Sequence, residues 1–99
     1  MSNQPLRTER IRALVSAALA PVLLKVRDDS AQHAGHAGAA PGGETHYSVL
    51  VVSDRFIGQG RIARHRMVNA ALGDEFAQGL HALALTLRTP DEHSALVRR

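Results

Sequence analysis

The chain is 99 residues long, 44% hydrophobic, carries a net charge of +3 and contains no cysteine. That length suits one domain with a modest core, and the lack of thiols excludes disulfides, zinc–thiolate sites and any iron–sulfur cluster held by the chain's own sulfur. No apolar run approaches the roughly 20 residues of a membrane span, and the polar start from Met1 to Pro5 lacks the apolar core of a signal peptide, so the expectation is a soluble cytoplasmic domain.

Pro5 suits the first turn of a helix. Ile11, Leu14, Val15, Ala18 and Leu19 then recur at helical spacing, with Arg7, Glu9, Arg10 and Arg12 on the remainder. Pro21 stops the pattern at about Ala20, which predicts a helix over 5–19. Val22 to Arg27 alternates as a half-buried strand, with Val22, Leu24 and Val26 on one face and Leu23, Lys25 and Arg27 on the other. Residues 31–44 form a long Gly/Ala/His/Pro segment without periodicity, holding the repeat His33-Ala34-Gly35, His36-Ala37-Gly38. A loop of that length is uncommon in a small domain and tends to be functional or disordered. Thr45 to Val52 is the strongest strand signal, and it makes a hairpin with the preceding strand.

Residues 53–60 read as a connector with turn chemistry at both ends. A helix is predicted from Arg61 to Phe76, with Gly73 dividing off a last turn at 74–78. Projected at about 100° per residue, Ile62, His65, Val68, Asn69, Leu72 and Phe76 fall on one side, the expected core face. From Leu80 to Leu87 the leucines alternate with Ala82, Ala84 and Thr86, the period of a strand with one apolar face. His81 shares the parity of Leu83, Leu85 and Leu87 and stands at the start of that strand, at the rim of the core. Thr89-Pro90-Asp91-Glu92 is a capping box with proline at the first helical position, opening a short helix through Val97, with residues 98 and 99 frayed. A right-handed crossover makes the last strand parallel to its predecessor. The prediction is one α+β domain over 1–99, an αββαβα sandwich with a three-stranded mixed sheet.

The six histidines are more informative than the net charge. Neutral imidazole is the commonest protein metal ligand. His33 and His36 alone would make a weak site on a glycine-rich loop, and His81 strengthens it if folding brings the loop to that strand's start. His65 is expected to be a buried, hydrogen-bonded core residue, His46 to pack beside the hairpin, and His93 to be solvated. Arg55, Arg61, Arg64 and Arg66, opposed only by Asp54, give a local charge of +3 over 54–66 that could grip phosphates. No nucleophile-and-base arrangement or carboxylate pair stands out, so no enzyme activity is expected.

Several blocks in order resemble the BolA-like family: Val26-Arg27-Asp28-Asp29-Ser30, then the stretch from His33 onward, Gly43-Glu44-Thr45-His46-Tyr47, and Val51-Val52-Ser53-Asp54-Arg55-Phe56-Ile57-Gly58. Arg64-His65-Arg66-Met67-Val68-Asn69-Ala70-Ala71-Leu72 and His81-Ala82-Leu83-Ala84-Leu85 complete the set. The resemblance spans about Ile11 to Pro90 and implies a fold similar to class II K-homology domains. It implies two functional descriptions. In the first, the protein pairs with a monothiol glutaredoxin and its glutathione and shares a [2Fe-2S] cluster. His81 then matches one ligand, and His33 or His36 on the hairpin loop supplies the second. In the other, it is a DNA-binding transcriptional regulator of stress response and cell morphology, reading through the helix that carries Arg64 and Arg66, with Arg55 and Arg61 in the same patch. The isolated chain is expected to be a monomer or weak dimer.

Overall fold

A computed structural model describes residues 6–30 and 45–98. Its elements are α1 (Arg7–Leu19), β1 (Leu23–Asp28), β2 (His46–Val52), a 3-10 turn (Asp54–Phe56), α2 (Arg61–Ala71), α3 (Gly73–Ala77), β3 (Ala82–Arg88) and α4 (Pro90–Val97). The strands form one sheet in the order β1-β2-β3. β1 and β2 are antiparallel, with Val26 opposite Val49. β3 returns parallel to β2 through α2 and α3, with His46 opposite Ala82 and Val49 opposite Leu85. This is the mixed α+β architecture expected from the element order.

Strand alternation divides the sheet into two faces. Tyr47, Val49 and Val51 of β2 are buried and packed by Leu24 and Val26 of β1 and by Leu83, Leu85 and Leu87 of β3. Onto this face α1 delivers Ile11, Val15 and Leu19, spaced four apart as one helical ridge. Val68 and Leu72 come from α2, and Phe56 and Leu80 from the segments flanking the two helices. Lys25, Arg27, Ala82, Ala84 and Thr86 on the opposite face are exposed.

Local signals hold at most boundaries. Of the α1 stripe, Ile11, Val15 and Leu19 are buried and Leu14 and Ala18 partly so, and α1 ends at Ala20, whose φ of 43° closes a left-handed cap with its N–H on Ser16 O. The helix break at Gly73 is present. The capping box of α4 is complete, Glu92 N donating to Thr89 Oγ1 and Thr89 N to Glu92 Oε1.

Three expectations need correction. Val22 is 66% exposed and precedes β1; its N–H pairs with Val52 O at 2.8 Å, but its side chain lies beyond the covered face. The core face of α2 is rotated from the projected one. Val68 and Leu72 are buried, yet Ile62 is 68% and Phe76 37% exposed, Asn69 is exposed, and Arg64, Met67 and Ala71 take the inner positions. His65 is therefore half-buried rather than buried, and its Nδ1 lies 2.9 Å from Arg61 O of its own helix. The cause is Arg64. Its guanidinium lies over the Phe56 ring, 5.7 Å from the centroid. It donates to Gln59 O and Leu87 O and forks onto Glu92 at 2.6 and 3.2 Å. These contacts tie α2, β3 and α4 together and set the helix rotation.

Candidate functional site

His81 is placed by the segment that leads into β3. Glu75 on α3 is buried, with a side chain 3% exposed. It accepts Arg7 Nε at 3.0 Å and Arg10 Nη2 at 2.9 Å, while Arg7 Nη2 donates to Gln78 O at 2.7 Å. The carboxyl is held below its ordinary pKa by the Arg10 hydrogen bonds; burial opposes the shift and Arg7 adds to it. This pair of arginines fastens α1 to the end of α3. Gly79 follows with φ of +115°, conformational space that a side chain disfavours. Leu80 then turns into the core, and its N–H closes on Glu75 O at 3.0 Å.

The opposite wall of the site comes from the hairpin. Ser30 and Thr45, which border residues 31–44, are both buried. Ser30 Oγ accepts Thr45 N at 2.9 Å and His46 N at 3.1 Å, and lies 3.2 Å from Thr45 Oγ1. Thr45 O in turn takes the N–H groups of His81, at 2.9 Å, and Ala82, at 3.1 Å. Thr45 Oγ1 lies 2.9 Å from His46 Nδ1. The His46 and His81 rings are stacked, 6.1 Å between centroids and 19° from parallel. His81 is thus an exposed imidazole on a backbone pinned to Thr45, beside a second imidazole.

His81 stands at the rim of the core as expected, although just before β3 rather than as its first residue. His33 and His36 lie outside the described residues. Among the described residues no group of three or more His, Asp or Glu side chains is gathered for a metal, and the chain has no thiolate. Among the described residues His81 offers an exposed imidazole, a donor that suits a borderline metal centre completed by ligands from elsewhere. Sequence reasoning gave His46 a packing role and passed over Ser30, Thr45 and Glu75. Only the parallel register, His46 against Ala82, reveals the pairing.

The arginines of the basic patch fall into two groups. Arg64 is engaged as described above, and Arg55 Nη1 donates to Ala18 O at 3.1 Å. Arg61 and Arg66 are exposed on α2. Glu92 is held at about 2, first by the Arg64 guanidinium and then by the Thr89 amide.

Comparison with known proteins completes the description. The chain is 46% identical over 90 residues to SufE-like protein 1, chloroplastic/mitochondrial, of Arabidopsis thaliana, which covers 87% of this chain and 24% of that protein. It is 46% identical over 80 residues to BolA-like protein 1 of Pongo abelii, covering 81% of this chain and 56% of that one. It therefore spans about a quarter to about half of those two relatives. The DNA-binding transcriptional regulator BolA of Escherichia coli K12 is 42% identical over 88 residues, covering 89% of this chain and 80% of the regulator. The solved BolA domain of SufE1 from Arabidopsis thaliana superposes with a TM-score of 0.80 at 44% identity, covering 90% of this chain and 98% of that domain. The family model described as BolA-like protein matches residues 15–92, and with these relatives and this fold the chain belongs to the BolA-like family.

Proposed function

We propose that the protein is a non-enzymatic accessory of iron–sulfur handling that binds a monothiol glutaredoxin and shares a [2Fe-2S] cluster with it. His81 is the fixed ligand, and His33 or His36 supplies the second imidazole. The observation that carries this reading is the exposed His81 ring on a backbone pinned to Thr45. Ser30, three positions before His33, is bonded to the same Thr45, so a His33 ligand has at most about 10 Å of chain to span from there. Two imidazoles can stand in for two thiolates on one iron of a [2Fe-2S] centre. A chain without cysteine cannot complete the set, so the sulfur ligands come from the partner and its glutathione. Family membership supports the reading, as does the occurrence of a BolA domain within a longer SufE-like relative. The test is co-purification with the cell's monothiol glutaredoxin, followed by visible absorption and iron analysis of the wild type and His81→Ala. Loss of the imidazole-dependent spectrum in a folded His81→Ala complex is expected. An unchanged spectrum removes the reading.

A second reading, DNA-binding regulator, is favoured by the name of the Escherichia coli relative, which this chain matches over most of its length. In this chain Arg61 and Arg66 are the exposed phosphate contacts of that reading, whereas Arg55 and Arg64 also serve the fold. Arg66→Ala should weaken binding and flatten its salt dependence if that reading holds.

A further inference from the structure

The geometry points to Thr45 as a positioning residue for the His81 imidazole, acting through the His46 ring; this rests on the ligand role proposed for His81. Thr45 is held at its carbonyl, its hydroxyl and its amide. Its carbonyl takes two consecutive N–H groups, those of His81 and Ala82, which anchors the backbone one residue before β3 begins. Its hydroxyl holds His46 at Nδ1, and that ring lies nearly parallel to His81. Behind it, the Ser30 hydroxyl accepts the Thr45 and His46 amides, so Thr45 cannot shift without breaking the hairpin's closure.

The physical consequence concerns the His81 side chain. An exposed ring on a fixed backbone samples several rotamers, and ligation must restrict them. A neighbouring ring held by Thr45 removes part of that freedom before any metal arrives, which lowers the ordering cost of binding. Groups that orient a ligating imidazole are commonly worth about 10–100-fold in metal affinity. His46 and Thr45 therefore act on the site without themselves entering the coordination sphere.

The test uses the full chain in two forms. In the isolated chain, nuclear Overhauser contacts between the His46 and His81 ring protons report the stack. In the cluster-loaded complex with a monothiol glutaredoxin, the rate of cluster loss to a chelator reports the ligand. Thr45→Val keeps the shape and the carbonyl but deletes the hydroxyl. It should remove the ring contact and speed release about tenfold, and Thr45→Ser should restore both. Should Thr45→Val fail to fold, His46→Ala, at a half-exposed position, should show the same faster release with an unchanged melting temperature. A folded Thr45→Val with ring contact and release unchanged, beside a His81→Ala complex that loses its cluster signature, overturns the positioning role alone. Should His81→Ala leave the spectrum unchanged, the ligand role falls, and the ring contact in Thr45→Val then decides whether Thr45 orients the ring.

Discussion

Replacing Glu75 by alanine would remove the carboxylate on which Arg7 and Arg10 converge. The Glu75 side chain is 3% exposed and that of Arg7 9%, so on one side the pair is shielded from water, whereas Arg10 is 25% exposed. Breaking a buried pair by deleting one partner costs about 3–5 kcal/mol, because the remaining charge keeps its desolvation penalty. Arg10 can turn back to solvent and Arg7 cannot, which places the expected loss at the lower end, about 3 kcal/mol. For a domain of this size that corresponds to a fall of about 15 °C in melting temperature. Thermal and urea unfolding at neutral pH would measure it, and a fall under about 4 °C would show that the guanidinium groups rehydrate freely and refute the reasoning. The pH dependence supplies a second check. Glu75 has a folded pKa below its ordinary 4.5. Its stabilisation is therefore complete above about that value and is lost as pH falls through the folded pKa. Glu75→Gln should flatten the acid side of the stability curve, and an acid limb as steep as wild type would count against the assignment.

Four further outcomes follow from particular positions. Gly79→Ala should lower stability by about 1–3 kcal/mol through its φ of +115° rather than by a clash, since the nearest atom to the added Cβ, Arg7 Nη2, stands at 3.5 Å; an unchanged urea midpoint would show that the turn relaxes. Because the folded pKa of Glu92 is about 2 against an ordinary 4.5, the tie from α4 to Arg64 is present above the ordinary value and lost as pH falls toward the folded one. Amide protection in α4, taken relative to intrinsic exchange at each pH, should therefore fall only in strongly acidic solution, and a loss already near about pH 5 would contradict it, while Thr89→Ala should cost about 1 kcal/mol of helix capping. His65→Ala should change stability by less than about 1 kcal/mol, since the alanine's better helix propensity offsets one lost hydrogen bond. A larger loss in urea titration would mean that His65 carries packing its half-exposed position does not suggest.

Much of the fold was legible in local sequence. The ridge of Ile11, Val15 and Leu19, the alternation of Leu83, Leu85 and Leu87, the break at Gly73 and the Thr89–Glu92 box each depend on neighbours within four residues, where helix and strand periods act. Family blocks also marked His81. The rotation of α2 was not legible, because its apolar residues are few and the projected face of Ile62, His65, Val68, Asn69, Leu72 and Phe76 rests on local spacing alone. Arg64 turns inward instead, reaching Phe56, Leu87 and Glu92 on three other elements. The clamp of Arg7 and Arg10 on Glu75 spans 68 and 65 positions, and the meeting of His46 with His81 follows from a parallel register set after a two-helix crossover. Such contacts leave no periodic trace, since partners far apart in the chain are selected by packing of the whole core and not by the backbone preferences of either segment. Sequence alone therefore determined the elements, the covered sheet face and the candidate strand ligand. Tertiary structure decided what stands beside that ligand, because only closure of the sheet brings Thr45 and His46 against it.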